Sequence, residues 1–545
     1  MFRTPDPRIL APALASFALT ALAIVAIWWW LGAPVALPSS PLAAGEKLYC
    51  VSYAPFRGSQ NPLVEGTRVE PQLIDADIAL IAKYSNCVRT YSVDDGADIV
   101  LASARRYGLK VLFGIWVSNR PEKVQRQIAS TVALAREYSD VIRAIVVGNE
   151  VLLRGEMSAP DLVATIREVK ARVPQPVTYA DVWEFWLRYP DVQSAVDFVT
   201  IHILPYWEDF PISAAHAAAH VGAIRRQVAA AMPGKDIVIG EFGWPARGRQ
   251  REGALPSPSN QARVITETLT LAKRESFPVN IIEAFDQPWK RGLEGAAGGY
   301  WGILDRETGT LRFRDTISDH PNWPVQASAG IALTMLAFAA AFAAGRGRGL
   351  SAPLWIRVGV LSFVAAVSFG WTIETVPIES FSFGTWLRSL AFAAVAAAAP
   401  IICAAACAAS RPLPTFASIL AGAGGQKRDQ LDCALGVTLI ALMLVSVEAA
   451  LGLVFDPRYR DFPFAPLSAA VFPFLVVVAS TRGSAGLPVA QHASAEGLAA
   501  AVLALSAVYV VFNESFANWQ AVWFCAGLIG LALILARARV APSLV

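Results

Sequence analysis

Two glutamates stand at or near the ends of short apolar stretches of the kind that form β-strands. Glu150 closes "IRAIVVGNE" (142–150), directly after Asn149, and Glu241 lies in "DIVIGEFGW" (236–244). A pair of carboxyl groups suits the cleavage of a glycosidic bond, because one must protonate the leaving oxygen while the other attacks the anomeric carbon. This chemistry requires both side chains in one cleft, so the elements that carry them decide the interpretation.

Residues 45–322 have the composition of a soluble domain, in which strand-like and helix-like segments alternate. Eight strands with intervening helices over about 275 residues predict a (β/α)8 barrel, a fold that typically needs ~250 residues. A doubly wound open sheet is the competing fold, but it would place a glycine-rich phosphate loop where this chain reads "SYAPFRGSQ". The predicted strands are 48–54, 86–92, 110–117, 142–150, 176–183, 197–206, 236–244 and 279–289.

The functional residues of such a barrel gather at the carboxyl ends of its strands. The fourth strand therefore contributes Asn149 and Glu150, the seventh contributes Glu241, and both glutamates point at one mouth. The alternative is that the two glutamates are unrelated acids at strand ends. That alternative does not explain why both occupy equivalent positions at the same end of the barrel. At a separation of ~5 Å the pair would act by double displacement with retention. Other strand ends supply candidate substrate contacts, which are Arg89, Tyr91, Tyr206, Trp207, Asp286, Gln287, Trp289 and Lys290.

Aromatic residues follow these strand ends closely. Trp207, Phe242, Trp244 and Trp289 are candidates for stacking on sugar faces. Packing within the loops is the alternative, and at least one of the tryptophans is expected to take that role. Arg89 has two compatible roles, since it can contact substrate or neutralise the paired acids.

The strand-end motifs resemble those of glycoside hydrolase family 17, the β-1,3-glucanase and β-glucanosyltransferase family. The similar stretches are "VVGNE", "GEFGWP", "EAFDQPWK" and "GYWGILD", and the resemblance covers residues 47 to about 315. It implies a retaining mechanism in which Glu150 is the acid/base and Glu241 the nucleophile, and it places Asn149 at the sugar 2-hydroxyl. It also implies a surrounding set of residues, which are Tyr53, Arg89, Tyr91, Tyr206, Lys290 and Glu294.

One position departs from the family pattern. Many relatives read "EAFDEPWK", whereas this chain has Gln287 in place of that second acid. The change removes a charge near the site, and we interpret it as tuning of a sugar subsite.

Apolar segments lie on both sides of the predicted barrel. The chain is 55% hydrophobic and 16% charged, which indicates a membrane protein. Residues 1–40 contain one run about as long as the ~20 residues that span a bilayer. Residues 323–545 contain seven more, roughly 325–344, 354–371, 389–409, 431–454, 466–480, 497–512 and 520–536.

Basic residues in the connecting loops predict the orientation. Arginine or lysine occurs in loops 345–349, 410–430 and 481–483 and in the tail 537–540, while the alternate loops hold more acids. The positive-inside rule then predicts eight spans with both termini in the cytoplasm and the barrel on the other side. We interpret the first segment as an uncleaved anchor, with a cleaved signal near "PLAAGEK" as the alternative.

Cysteines and charge exclude other classes of site. The six cysteines form no CxxC pair, which makes a thiolate metal site improbable. A disulfide between Cys50 and Cys87 is an open alternative that is not favoured, because inward-pointing Tyr53 and Tyr91 would turn Cys87 inward and Cys50 outward. The net charge of +3, without a basic stripe, gives no indication of nucleic-acid binding.

Three further groups of polar residues are not assigned to the predicted site. His216 and His220 have helical metal-pair spacing, but the polar face of a helix is the favoured interpretation. The acidic run 94–98 is expected at a helix N-terminus rather than in a nucleotide-sugar site. Glu374, Glu379 and Glu448 lie in or near apolar segments, and Glu448, deep in one span, is a functional candidate whose partner the sequence does not name.

Together with these observations, the resemblance to glycoside hydrolase family 17 implies a retaining β-glucan transglycosylase in a bacterial inner membrane, with its barrel in the periplasm. The expected partners are a β-1,3-glucan donor, a glucan acceptor, the bilayer and other glucan-synthesis membrane proteins. No metal or cofactor is implied, because carboxylates suffice for the reaction. The alternatives are a membrane-anchored endo-β-1,3-glucanase, a glucan-binding or export component, and a catalytically silent module.

Overall fold

The computed structural model describes residues 7–312, 316–346, 348, 350–420, 429–481 and 494–537, without the side chains of 7–10 and 481. The chain divides into two compact units. One comprises residues 35–317. The other comprises residues 1–34 and 318–545 and includes the first helix, α1 (Pro7–Leu31).

Residues 35–317 form a closed barrel of eight parallel strands, which confirms the predicted (β/α)8 fold. Each strand pairs with the next, and the eighth pairs with the first. The strands are β1 (Cys50–Ser52), β2 (Cys87–Arg89), β3 (Lys110–Ile115), β4 (Ile142–Asn149), β5 (Val177–Val182), β6 (Val199–His202), β7 (Ile237–Phe242) and β8 (Val279–Ile281). The α-helices are α2 (Pro71–Tyr84), α3 (Ala97–Tyr107), α4 (Pro121–Glu137), α5 (Ala159–Lys170), α6 (Trp183–Arg188), α7 (Ala217–Ala231), α8 (Pro258–Glu275) and α9 (Arg291–Gly298).

Alternation along the strands separates two buried layers. Branched residues such as Val51, Val88, Ile145 and Ile201 pack with the helices in the main core of the unit. The intervening small and apolar residues form a second cluster that fills the barrel interior. This interior cluster comprises Cys50, Cys87, Leu112, Ala144, Val146 and Ala180.

Cys50 and Cys87 form a disulfide, which is the alternative that the sequence interpretation did not favour. That interpretation assumed that Tyr53 points into the barrel. Tyr53 instead faces the helical layer, where its hydroxyl donates to Asp77 Oδ2 at 3.1 Å. Cys50, three residues earlier on the period-2 strand, therefore shares the interior with Cys87 of the neighbouring strand.

Two strands carry an irregularity next to the predicted catalytic residues. The pairing of β4 with β5 shifts register between Val146 and Asn149, and the pairing of β7 with β6 shifts so that His202 faces Glu241. An extra residue in a strand turns the following side chains to the other face. Ile239 and Phe242 therefore both pack in the outer core, while Glu241 between them turns inward.

The second unit consists of apolar helices at the positions that the sequence predicts. Within the described ranges, seven helices are long and apolar enough to cross a membrane, and a further apolar helix, Phe464–Ser480, is shorter. The helices after the barrel are α10 (Trp323–Ala344), α11 (Ala352–Glu379), α12 (Phe383–Ala409), α13 (Phe416–Leu420), α14 (Gln430–Phe455), α15 (Phe464–Thr481), α16 (Ser494–Glu514) and α17 (Trp519–Ala536). Four of the eight basic residues in the loops that predict orientation lie outside the described ranges, and they are Lys427, Arg428, Arg482 and Arg539.

The first helix is an integral member of this unit. The Ser16 hydroxyl of α1 donates to the carbonyl oxygen of Trp355 on α11 at 2.7 Å. Gly370 of α11 lies directly against the Trp28 indole, where a Cβ would come within 2.5 Å of the ring. Small residues at such crossings allow close packing of membrane helices.

The acidic residues of the helical unit have identifiable neighbours. Glu448 Oε1 lies 3.6 Å from Arg460 Nη1, which supplies the partner that the sequence did not name. Glu374 Oε2 lies 2.7 Å from His320 Nδ1. Glu379 lines a small pocket that Arg460 also lines.

The two polar patterns within the barrel unit have structural roles. His220 Nε2 lies 3.0 Å from Glu208 Oε1, whereas His216 Nδ1 lies 2.9 Å from the Ser213 hydroxyl, so the two histidines bind different partners. The acidic run 94–98 leads into α3 as expected. Its cap is the left-handed Gly96 rather than an aspartate side chain.

Candidate active site

Glu150 follows β4 in a backbone conformation that side chains rarely adopt. Its φ is 54°, and Gly148 two residues earlier has a φ of 89°. Left-handed backbone at a non-glycine residue costs free energy and is concentrated at functional sites. The Glu150 amide donates to Ala180 O at 2.8 Å, which fixes this turn to β5 and leaves the carboxyl group partly exposed at the barrel mouth.

Glu241 is buried, with 4% of its surface exposed. Its Oε1 accepts from Arg89 Nη1 at 3.0 Å and from the Tyr91 hydroxyl at 2.9 Å. Burial by itself would raise the pKa of this carboxyl group. Interactions with His202 and Arg89 outweigh burial and lower the pKa below its ordinary value, with smaller contributions from Lys290 and Tyr91. Glu241 is therefore held as a carboxylate at neutral pH.

Arg89 organises both predicted catalytic strands. It is 1% exposed, and its Nη1 donates to Gly240 O at 2.6 Å as well as to Glu241. Its Nη2 donates to Asn149 Oδ1 at 2.6 Å. The planar guanidinium thus links the ends of β4 and β7 through a fixed fork of hydrogen bonds.

His202 is a site residue that the sequence interpretation missed. It ends β6 and is fully buried, with Nδ1 2.8 Å from Glu150 Oε1 and Nε2 3.7 Å from Glu241 Oε1. The predicted sixth strand ran to residue 206, which placed His202 inside the strand instead of at its end. The alternation of side chains along the strand could have revealed it. Ile201 and Ile203 face the outer core, so His202 between them faces the barrel interior.

The predicted catalytic pair is close together. One side-chain oxygen of Glu150, one of Glu241 and a ring nitrogen of His202 all lie within 4.8 Å of one another. Carboxyl groups about 5–5.5 Å apart are typical of retaining glycosidases, whereas inverting enzymes need about 6.5–9.5 Å to admit a water. The spacing favours attack by one carboxylate over attack by an activated water.

The same three side chains have ligand types that metals use. Glu241 Oε1, however, already receives the Arg89 guanidinium at 3.0 Å and the Tyr91 hydroxyl. A divalent cation at this oxygen would face the positive charge of Arg89 directly. The donor set therefore fits a charge-balanced carboxylate better than a metal ligand.

Comparison with known proteins agrees with this geometry. Residues 50–302 match the family model of the BtgE/BtgC glycoside hydrolase domain. The barrel is therefore similar to this glycoside hydrolase domain. The match confirms the resemblance expected from "VVGNE" and "GEFGWP".

Individual relatives cover the same part of the chain. A glucan 1,3-beta-glucosidase of Arthroderma benhamiae is 29% identical over 252 residues, which span 42% of this chain and 80% of that protein. A glucan 1,3-beta-glucosidase of Schizosaccharomyces pombe is 27% identical over 245 residues, spanning 42% and 76%. The crystal structure of a family 17 beta-1,3-glucanosyltransferase from Rhizomucor miehei has a TM-score of 0.43 at 24% identity, covering 49% of this chain and 96% of that one.

A second group of charged residues follows the eighth strand of the barrel. Lys290 Nζ donates to Glu283 Oε1 at 2.9 Å, and Glu283, which the sequence interpretation did not single out, is 1% exposed. Burial raises the pKa of Glu283 to about 7 and that of Glu294 to about 7. Burial would lower the pKa of Lys290, but Glu283 and its neighbouring carboxylates raise it. Lys290 is therefore a fixed cation that also acts on Glu241.

Several predicted substrate contacts have structural roles in this barrel. Tyr53 faces the helical layer, and Asp286 accepts from the Gly302 amide at 2.9 Å and pairs with Arg312 at 2.7 Å. Tyr206 is fully buried and donates to Arg249 O at 2.9 Å. These contacts stabilise the loops around the mouth.

The aromatic candidates divide into two classes. Phe242 and Trp244 are fully buried, and the Trp244 indole donates to Leu255 O at 3.1 Å, so neither can stack on a sugar. Trp207 and Trp289 are half-buried and remain candidates. Trp207 lies parallel to Trp301, with ring centroids 6.5 Å apart.

Gln287 has a structural explanation that differs from subsite tuning. Its amide nitrogen donates to Ala54 O at 2.9 Å, and its amide oxygen accepts from the Trp289 indole at 2.9 Å. A glutamate has no hydrogen to donate to Ala54 unless it is protonated. The amide therefore fixes Trp289 against the loop that follows β1.

The variant Gln287→Glu tests this role. We expect its unfolding free energy to fall by about 1–3 kcal/mol, because a buried acceptor would then face the Ala54 carbonyl. For a domain of this size the transition of the barrel should fall by roughly 2–4 °C per kcal/mol. Intrinsic tryptophan fluorescence during heating measures it, with the exposed Gln227→Glu on α7 as the matched control. An unchanged transition would contradict the bridging role.

Proposed function

We propose that the protein is a membrane-attached, retaining β-glucan transglycosylase. It would cleave a β-1,3-glucan donor, hold the fragment as a covalent glycosyl-enzyme, and transfer it to an acceptor glucan. The observation that carries this proposal is the approach of Glu150 and Glu241 within 4.8 Å at the mouth of a glycoside hydrolase barrel. The product would be elongated, branched or cyclised β-glucan.

In the first step, the Glu241 carboxylate attacks the anomeric carbon while Glu150 protonates the departing glycosidic oxygen. The glycosidic bond breaks and an ester bond to Glu241 forms. Arg89 and Tyr91 keep Glu241 ionised, and their shared contact with Oε1 directs its other oxygen toward the substrate. Asn149, held by Arg89, is positioned to bind the neighbouring sugar hydroxyl.

In the second step, the Glu150 carboxylate takes a proton from a hydroxyl of the acceptor sugar. That oxygen attacks the anomeric carbon and displaces the Glu241 carboxylate, which regenerates both groups. Two inversions give net retention. Water in place of the acceptor would give hydrolysis by the same steps.

The relatives support the substrate class. The two fungal proteins described above are both named glucan 1,3-beta-glucosidases. The half-buried Trp207 and Trp289 would provide apolar faces for glucose rings. Both observations favour a β-1,3-linked glucan as donor.

The helical unit favours transfer over degradation. An enzyme that only degrades extracellular glucan does not need eight apolar helices, whereas an enzyme that builds a polymer near its site of synthesis benefits from membrane attachment. A membrane-anchored endo-β-1,3-glucanase is the second candidate, because its chemistry differs only in the acceptor. Other glucan-synthesis membrane proteins are proposed partners of the helical unit.

We place the barrel in the periplasm of a bacterial inner membrane, with both termini in the cytoplasm. The distribution of arginine and lysine among the loops supports this orientation. The Cys50–Cys87 disulfide supports it independently, because disulfides persist in oxidising compartments.

Product analysis tests the proposal. Full-length protein in detergent would be incubated with laminari-oligosaccharides labelled at a reduced end, and the products analysed by mass spectrometry and linkage NMR beside Glu241→Gln. We expect products longer than the substrate from the native protein and none from the variant. Only shorter products would contradict transfer and establish the glucanase. Products that the variant also makes would contradict the role of Glu241.

A further inference from the structure

Resting on the proposed function, we propose that His202 is a positioning residue that holds one oxygen of Glu150, so that the other oxygen carries and donates the proton. The imidazole lies between the two glutamates. Its Nδ1 is 2.8 Å from Glu150 Oε1, and its Nε2 is 3.7 Å from Glu241 Oε1. Because the ring is fully buried on β6, it has no freedom to leave this position.

The contacts of Arg89 assign the hydrogen on the ring. Nη1 of Arg89 lies 3.3 Å from His202 Nε2, and a guanidinium nitrogen can only donate. Its two hydrogens are shared among Nε2, Gly240 O at 2.6 Å and Glu241 Oε1 at 3.0 Å. Nε2 therefore accepts, and the ring hydrogen lies on Nδ1.

This tautomer makes Nδ1 the donor to Glu150 Oε1, at 2.8 Å. The bond holds one oxygen of the Glu150 carboxyl group, so the proton that the first step transfers to the leaving oxygen belongs on Oε2. The effect depends on orientation and needs no proton transfer by the imidazole.

Charged groups face His202 from four strands. They are Arg89 on β2, Glu150 after β4, Asp181 on β5 and Glu241 on β7. Asp181 is fully buried, and its pKa is raised to about 6, because burial and the nearby Glu150 outweigh the lowering effects of the Tyr179 hydroxyl and His202. A His202 variant is therefore also expected to change the pKa of Asp181, which contributes to the pH dependence of that variant.

Leaving-group dependence separates positioning from a merely structural role. The full-length variants His202→Phe and His202→Asn would be compared on two substrates. A laminari-oligosaccharide needs a proton on its leaving oxygen, whereas a 2,4-dinitrophenyl β-laminaribioside does not. Ile201→Val is the matched control, because it is the preceding residue on the same strand and faces the outer core.

We expect His202→Phe to lower kcat/KM for the oligosaccharide by about 100-fold or more and for the dinitrophenyl substrate by less than about 10-fold. His202→Asn, whose amide can occupy the place of Nδ1, should recover most of the oligosaccharide activity, and Ile201→Val should retain all of it. Equal losses on both substrates, or no loss on either, would overturn the proposal.

A folding defect is distinguished by His202→Gln, whose amide lies near Nε2 instead of Nδ1. If both amide variants fold, we expect more oligosaccharide activity from the asparagine than from the glutamine, and equal activities would contradict the role of the Glu150 contact. A native protein inactive on both substrates, with no glucan products, would overturn the proposed function. Native activity with unselective His202 losses would overturn only the positioning role.

Discussion

Replacing Glu241 with glutamine is expected to reduce kcat/KM for β-1,3-glucan by at least about 10⁴-fold. The neutral amide cannot form the glycosyl ester, yet it preserves the volume of the side chain beside Arg89 and Tyr91. The measurement uses full-length protein. Initial rates of reducing-sugar release give kcat/KM for cleavage, and initial rates of product formation give kcat/KM for transfer. The exposed Glu122→Gln on α4 is the control and should act like the native protein.

Azide rescue distinguishes the two glutamates. Glu241→Ala with azide should release the α-glycosyl azide, because azide then attacks in place of the nucleophile. Glu150→Ala with a 2,4-dinitrophenyl substrate should form the glycosyl-enzyme without acid assistance and release the β-glycosyl azide. Rescue with the reverse stereochemistry would contradict the assigned roles.

Replacing Arg89 with methionine is expected to have the second largest effect. Removal of one partner from a buried ion pair typically costs about 3–5 kcal/mol, because the remaining charge stays buried without compensation. Here Glu241 and Asn149 would both lose a donor. We expect a loss of kcat/KM of at least about 100-fold in addition. Urea unfolding followed by tryptophan fluorescence and the glucan assay measure the two effects.

The pH dependence of this variant follows from the depressed pKa of Glu241. A carboxyl group whose pKa is lower in the folded than in the unfolded state stabilises the fold above the unfolded value of ~4.3. That contribution disappears as the pH falls through the folded value. The difference in stability between the native protein and Arg89→Met should therefore be largest near neutral pH and shrink in acid.

Two comparisons complete the Arg89 prediction. Arg89→Lys keeps the charge but cannot reproduce the fork that joins Gly240, Glu241 and Asn149, so we expect an intermediate loss of activity. Arg105→Met removes an exposed ion pair with Asp140, and we expect little change in either the unfolding free energy or kcat/KM. A fully active Arg89→Met protein, or a stability difference that grows in acid, would contradict the account.

The sequence predicts the barrel and its acidic pair because both depend on repeating patterns. Eight strand-like runs separated by helical ones define the fold, and the rule for barrel strand ends then selects Glu150 and Glu241. The apolar segments are predicted equally well from the sequence, because each of the eight corresponds to a helix in the structure. These features need no knowledge of individual side-chain contacts.

Irregular strands limit what the pattern can predict. Simple alternation would place only one of two consecutive residues in the barrel interior. The register shift in β7 places both Gly240 and Glu241 there. Strand parity assigned from Tyr53 was wrong because that side chain bonds to Asp77 on α2, and the error concealed the disulfide.

Side-chain partners are the other limit. Phe242 and Trp244 resemble sugar platforms in the sequence, but both are fully buried in the structure. Gln287 reads as a lost charge, yet its amide makes two hydrogen bonds that a carboxylate cannot both make. His202 was missed because its importance lies in its position between two residues that are distant in sequence.

Trapping the glycosyl-enzyme tests the central claim most directly. Full-length protein would be treated with 2-deoxy-2-fluoro-β-laminaribiosyl fluoride, which slows both steps but leaves the first faster than the second, and then digested for peptide mass spectrometry. The account predicts one added fluoroglycosyl group on Glu241, and none in Glu241→Gln. A label on any other residue, or a protein that processes β-1,3-glucan with inversion and is never labelled, would contradict it.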